Sequence, residues 1–439
     1  MTTFSKITHR ETSPSLSARL LCLLLIGVME FLLMTKGKTV YADLYPLIPL
    51  TIYGSLAVFW GISLRQGPRC ILQREVRLGV LTAAWFLFLQ LLRLFIHTSG
   101  QNIPLFLCVY LVALPFAAVT EDSRRQAGIR IVAAIYLAAA AYLLAWSIIL
   151  FFGGDSPALD ERLVFWIGGR LYLVHHPNTA ARIFMIAIFL SLGFQEQAKG
   201  FLARGLLLGF TALLFIGQAL TNSRVCTLVT CLLLGGNMFF QLWQGGRKKL
   251  IRTLVLAAMV TVAAFLVSEG LFRWNSGRLL DPTSEEAYFA ANLRGSWAAD
   301  LPTLNGRTLI WAGALKKILK EPAILLRGGE YGKIQLERFA SNHSHNAWLE
   351  TLLRLGLPGL LLSLVFSWKA LCSSLCILGR PESGQWKKNI ALLTLALMIT
   401  SMVEPFLFIT TAGTNYFDFI FFLCLGYLTL WSRELKEQH

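Results

Sequence analysis

The chain has 439 residues, 55% of them hydrophobic and 15% charged, with a formal net charge of +16. Its apolar residues come in long unbroken runs instead of the alternating faces of a water-soluble fold, which excludes an ordinary soluble domain. The positive charge then reads as basic loops that hold a membrane protein's cytoplasmic side, not as a nucleic-acid footprint, and no nucleic-acid partner is expected.

Runs such as "LLCLLLIGVMEFLLM", "IVAAIYLAAAAYLLAWSIILFF" and "LVLAAMVTVAAFLV" are each about the length that crosses a hydrocarbon core of ~30 Å. The first is too long, and followed by too many others, to be a cleavable signal. Spans are predicted near 17–34, 45–63, 78–96, 103–119, 129–152, 179–195, 205–220, 225–243, 251–268, 347–368, 389–410 and 416–432. That is about twelve helices, because helices satisfy their own backbone polar groups in lipid. The expected fold is an all-α polytopic membrane protein.

The loops alternate in charge. "RQGPRCILQREVR", "EDSRRQAGIR", "QGGRKKLIR" and "GRPESGQWKK" are basic, whereas "HTSGQN" and "TTAGTN" carry no Lys or Arg. The positive-inside rule places both termini in the cytoplasm and the segments 153–178 and 269–346 outside the cytoplasmic membrane. Segment 269–346 is the one stretch large enough for a small extracytoplasmic domain with short helices. Within it "LPTLNGRTLIWAGALKKILKEP" predicts a helix with Asn305 or Thr303 as cap. Trp311, Ala314, Leu315 and Ile318 form its apolar face, and Pro322 is the stop. The chain divides into N-terminal helices over 1–152, a core over 153–368 that includes the outer segment, and C-terminal helices with a cytoplasmic tail over 369–439. The eight cysteines lie in apolar runs or short loops and show neither a disulfide framework nor a zinc-like pair.

Polar residues cluster on the side read as outside. Four of the seven histidines, His175, His176, His343 and His345, lie there. So do Arg170 and Arg182 around "GGRLYLVHHPNTAARIF", Arg224 in "LTNSRVCTLV" and Arg307 in "NGRTLIW". A lone arginine at the membrane boundary is as well explained by lipid phosphate. Arginines that recur beside histidines and asparagines suit bidentate contact with a phosphorylated lipid. "HSHN" admits a metal-site reading, but no carboxylate or cysteine cluster supports it, and histidine also serves as a general base. "HHPN" reads equally as a simple turn. Glu30, Gln90 and Arg93 read as helix–helix glue. Glu404, before Pro405, reads as an intramembrane carboxylate in a kinked helix, either functional or pairing with an arginine.

Four stretches together resemble the shared domain of bacterial O-antigen ligases and O-antigen polymerases. "LTNSRVCTLVTCLLL" is similar to its Ser-Arg turn, and "GRTLIWAGALKKILKEPAILLRGGEYG" to its Arg-x-x-x-Trp helix with a Pro and a Gly-rich exit. "SHNAWLETLLRLGLPGLLLSL" is similar to its His-Asn motif with a Gly-x-x-Gly step, and "HHPNTAARIF" to an upstream Asn motif. The stretches occur in the family's order over roughly residues 165–365.

This resemblance implies a GT-C-like, inverting, metal-independent membrane glycosyltransferase with no cofactor. Its donor is an undecaprenyl-diphosphate-linked glycan. Its acceptor is a sugar hydroxyl of the lipid A core, for a ligase of lipopolysaccharide biosynthesis, or of another lipid-linked repeat, for a polymerase. The resemblance assigns Arg224 and Arg307 to the diphosphate and His345 to the chemistry. Arg170, His176, Asn178, Arg182, Trp311, His343, Asn346 and Glu404 are expected around the substrate, and Gly356 and Gly359 are expected to allow close packing. The large outer segment and the twelve-span layout favour the ligase. A transporter or flippase is the rival class, but it would concentrate ionisable residues near the bilayer midplane in related halves.

Overall fold

The computed structural model describes residues 13–36, 122–153, 164–167, 170–173, 177–221, 223–243, 307–329, 334–335, 340–341, 343–408 and 415–437, with isolated positions between 47 and 62 and at 266 and 270. Its elements are helices α1 (Ser13–Lys36) and α2 (Asp122–Gly153), strands β1 (Val164–Ile167) and β2 (Arg170–Leu173), and helices α3 (Pro177–Gln197), α4 (Phe201–Leu220) and α5 (Arg224–Trp243). There follow α6 (Arg307–Lys320), α7 (Ile324–Arg327), strands β3 (Ile334–Gln335) and β4 (Ala340–Ser341), α8 (Ala347–Leu378), α9 (Gln385–Ser401) and α10 (Asn415–Glu437).

Five helices are long and apolar enough to cross a membrane, over Ala18–Thr35, Ala127–Trp146, Pro177–Gln197, Phe201–Leu220 and Ala347–Leu378. They coincide with five of the expected spans, and the chain is a membrane protein built of helices. Helices α5, α9 and α10 occupy three more of the expected positions. The expected spans at 78–96 and 103–119, about half of that at 45–63 and nearly all of that at 251–268 lie outside the described residues, as do 271–306 of the outer segment.

Helix α3 is the centre. It is buried around most of its circumference, from Ala180 through Leu190, as a helix apolar on every side must be. It packs against α2, α4, α5 and α9. Helix α4 is the opposite case: Phe201, Leu202, Leu206 and Leu208 are exposed, the surface a helix turns to lipid. Small polar side chains join the helices. The Ser191 and Thr211 hydroxyls lie 2.8 Å apart across α3 and α4, and Gln218 Nε2 donates to Thr230 Oγ1 at 3.0 Å across α4 and α5. Tyr136 Oη of α2 donates to the Tyr416 carbonyl of α10. Such bonds act as interhelical glue in lipid.

Three local features depart from the sequence reading. The fold is not purely helical among the described residues, because two short antiparallel hairpins are present. In the first, Ile167 pairs with Arg170, and Gly168-Gly169 stands between them in the sequence. Gly-Gly between aromatic and branched runs is a two-residue hairpin signal. Second, α6 buries Ala314 and Ile318 but turns Leu315 outward. Third, the helix after Asn346 runs to Leu378 and is broken at Gly356, which takes φ 72°, ψ −170°. Pro358 follows two residues later, where it lacks an N–H for the helical ladder.

The break at Gly356 has a packing cause. Residues 307–329 fold back on the first turns of α8, where Ala314, Ile318 and Ile324 bury against Leu353. Gly329 N–H donates to the Leu353 carbonyl at 2.6 Å. A Cβ on Gly356 would meet the Leu325 and Leu326 carbonyl oxygens at 2.8 and 2.9 Å, and one on Gly328 would lie 2.0 Å from the Arg354 oxygen. Both glycines have positive φ with extended ψ, a region almost closed to other residues. Gly359 plays no such part, since the nearest atoms to a Cβ there belong to Leu355 of its own helix.

Gly356→Ala is expected to destabilise the protein by at least about 1–3 kcal/mol from backbone strain alone. The check is the unfolding midpoint of the detergent-purified protein. Gly205→Ala, where a Cβ meets nothing within 4 Å, should leave it unchanged or slightly raised.

Candidate active site

Glu404 is the point where the chain's polar residues meet. It lies in the turn 402–408 that follows α9, not inside a kinked helix, because Pro405 cannot continue the helical ladder. The turn is pinned at both ends. The Met402 carbonyl accepts from Asn346 Nδ2 at 2.9 Å, and Phe408 N–H donates to Asp418 Oδ1 at 2.8 Å.

Three other segments reach this carboxylate. Asn178, in the first turn of α3, donates through Nδ2 to Glu404 Oε1 at 2.8 Å. Arg307, the first residue of α6, donates to the same oxygen at 2.8 Å. His345 Nδ1 lies 3.4 Å from Oε1, and Arg182 of α3 lies 3.7 Å from Oε2. The Arg182 guanidinium also lies over the Phe406 ring, 4.0 Å from its centroid, a cation–π contact. Burial by itself would raise the Glu404 carboxyl. The nearby His345 imidazole and the charges of Arg182 and Arg307 overcome it and hold the group well below the usual carboxylate range.

The loop before α8 is built as tightly. Asn346 has extended backbone and caps α8, its side chain accepting from Leu349 N–H at 3.0 Å. The buried Ser344 donates its N–H to Glu350 Oε2 at 2.6 Å and its hydroxyl to the Asn346 carbonyl at 3.0 Å. Glu350 in turn pairs with Arg354 four residues on. Between these anchors His345 takes φ 52°, an uncommon conformation for a residue with a side chain. His343 does not hang free in the loop. Its ring packs edge-on against His345, with centroids 4.0 Å apart. Burial and the neighbouring His345 push its imidazole below the ordinary histidine range, so His343 is neutral near pH 7 and donates or accepts without adding charge.

Of the residues singled out from sequence, Asn178, Arg182, Arg307, His345 and Glu404 are in mutual reach, and His343 and Asn346 adjoin them. Arg224 opens α5. Helix α5 packs against α3, the helix that carries Arg182. Trp311 stands one turn beyond Arg307 with its indole N–H buried and without a partner among the described residues. Arg170 is placed only as a backbone position on β2, paired with Ile167, and His176 lies outside the described residues. Phe406, Met402 and Glu350 were not singled out. Glu350 had a local signal, the Glu–Arg pair four residues apart, whereas Phe406 and Met402 had none.

Chemically the cluster suits an anion. Arg182 and Arg307 stand against one carboxylate, and the first turns of α3 and α6 and the residue before the cap of α8 reach it. Helix N-termini carry partial positive charge and unsatisfied N–H groups. Among the described residues no group of three or more His, Cys, Asp or Glu is placed to hold a metal ion.

Glu404→Ala is expected to cost about 3–5 kcal/mol, because it strands Arg182 and Arg307 without their shared carboxylate. Adding Arg182→Leu should then cost less than it does alone, a non-additivity read by a double-mutant cycle on unfolding midpoints. Simple additivity would mean that the pair is not energetically coupled.

Residues 209–364, about a third of the chain, match the O-antigen ligase family. The matched segment takes in the Arg224 turn, the Arg307–Trp311 helix and the His345-Asn346 cap, and leaves out Asn178, Arg182 and Glu404, which fold onto it. No curated protein matches the chain. The stretch that carries Arg224, Arg307 and His345 is thus similar to the O-antigen ligase domain, and it lies within a helical membrane protein.

Proposed function

We propose that the protein is a ligase-type glycosyltransferase. It moves a glycan from an undecaprenyl-diphosphate donor to a sugar hydroxyl of the lipid A core, at the outer face of the cytoplasmic membrane. The observation that carries this reading is the gathering of arginines and helix N-termini around one carboxylate and one histidine, beside the start of a spanning helix. The scissile bond of such a donor is amphiphilic: its sugar is in water and its polyprenyl chain in lipid.

In the reaction the acceptor hydroxyl attacks the anomeric carbon from the face opposite the diphosphate. A new carbon–oxygen bond forms as the bond from the anomeric carbon to the phosphate oxygen breaks, and the diphosphate leaves with the electron pair. Arg224 and Arg307 stabilise the charge that develops there. Their planar forks suit paired phosphate oxygens. His345 takes the proton from the acceptor hydroxyl. Glu404 beside Nδ1 favours the tautomer with the proton on that nitrogen, leaving Nε2 as the base. Asn178 and Arg182 hold Glu404 in place. Trp311, His343 and Asn346 line the approach, the first two with polar atoms to offer a sugar. Arg170 and His176 are assigned to the same surface by their place in the chain. The chemistry is proposed to run without a metal ion.

The test is transfer by the purified protein. A defined undecaprenyl-diphosphate oligosaccharide is supplied with lipid A core or with a second lipid-linked repeat. Glycosylated core is the expected product. Growth of the lipid-linked chain with none on the core would mark a polymerase, and movement of the donor between leaflets with no new bond would mark a transporter. Arg224→Ala and Arg307→Ala should abolish transfer, and the Lys variants should restore little of it, since a point charge lacks the bidentate fork. Chelator should leave the rate unchanged. Loss with chelator, reversed by zinc or magnesium, would replace this mechanism with a metal-dependent one.

A further inference from the structure

Helix α6 presents two stripes, about a quarter turn apart. Arg307, Trp311, Ala314 and Ile318 follow one another at spacings of four, three and four, and so share the side that meets α8. Leu315 and Leu319 are four apart on another side, 53% and 82% exposed. Lys316 and Lys320 run alongside them, one position on. Leu326 of α7 is 77% exposed, and its carbonyl lies against Gly356. Its backbone thus adjoins the residue before Leu357, which is 44% exposed on the spanning helix α8.

A helix that leaves large leucines open beside lysines, and whose apolar strip runs on into the outward side of a spanning helix, matches the anatomy of a helix lying in a membrane surface. The continuity with α8 selects lipid over a protein partner, because the neighbouring apolar surface is one that a bilayer already covers. The adjacent lysines select an anionic leaflet, whose phosphates they reach from the headgroup level.

We propose that the α6–α7 segment is seated in the headgroup–acyl boundary of an anionic phospholipid leaflet, with Leu315, Leu319 and Leu326 in the acyl edge and Lys316 and Lys320 on phosphates. Because Arg307 begins the same helix, this seating also sets the depth at which its guanidinium stands relative to the membrane. The inference needs only that the chain spans a membrane, and it stands apart from the identity of the substrates.

The experiment uses the full-length protein in proteoliposomes, with an environment-sensitive fluorescent amino acid in place of Leu319. In vesicles containing phosphatidylglycerol its emission is expected to shift to the blue. Lipid spin-labelled near the top of the acyl chain should quench it more than lipid labelled at the chain end, and iodide should quench it weakly. Lys316→Gln with Lys320→Gln should reduce the lipid quenching in phosphatidylglycerol and leave it unchanged in phosphatidylcholine. An unchanged unfolding midpoint checks that each variant is folded. Full iodide quenching without any spin-label effect would put the helix in water and overturn the proposal. Exclusion of both quenchers would put protein over it and overturn it equally. Quenching by lipid that ignores the lysine change in both vesicle types would remove the anionic leaflet from the assignment.

Discussion

The contact between the Glu404 carboxylate and Arg307, 2.8 Å long, is the interaction on which the rest of the site depends. Arg307 opens α6, Asn178 and Arg182 come from α3, and His345 precedes α8; Glu404 is the group that all of them reach. A carboxylate this enclosed is costly unless cations and donors satisfy it, and the arginines are equally costly without it. Each therefore requires the others. The requirement holds together segments that are distant in sequence and separately embedded among apolar helices.

The supports around this contact are rigid for identifiable reasons. Asn346 both caps α8 and grips the Met402 carbonyl, so the loop bearing His345 and the turn bearing Glu404 are one unit. The two non-glycine residues with positive φ among the described residues are His345 and Phe408, one in each half of that unit. Strained backbone persists only where the surroundings over-determine it, and here the surroundings are the Glu350–Ser344 bond and the Asp418–Phe408 bond. Lower in α8 the glycine break lets α6 and α7 approach the first turns of the helix by backbone contact. Packing at Gly328 and Gly356 thus controls where Arg307 stands, which links a structural constraint to the proposed chemistry.

Much of this was legible in the sequence wherever the rule is local. The start of α8 followed from the apolar run behind Asn346. The α6 helix was readable from its period and from Pro322. The arginines were recognisable because a charge at the end of an apolar span needs a reason. What remained hidden is tertiary. Glu404 was placed within a helix because the apolar run of the span continues past it, and only the turn reveals that Pro405 ends the helix first. Phe406 under Arg182 could not be read, since an aromatic next to a site residue looks the same in sequence as any other core residue. The Gly168-Gly169 hairpin had its signal, overshadowed by the helical character of everything around it. Leu315 was assigned to the buried face because its spacing fits either side of a helix that has apolar residues on two.

The most direct test of the account separates binding from transfer in His345→Ala. If arginines hold the diphosphate while His345 handles the acceptor's proton, the affinity for a lipid-linked donor should stay within a few-fold of wild type, and single-turnover transfer should fall by ~10²–10⁴-fold. Transfer at the wild-type rate in His345→Ala, with the donor bound, would contradict it.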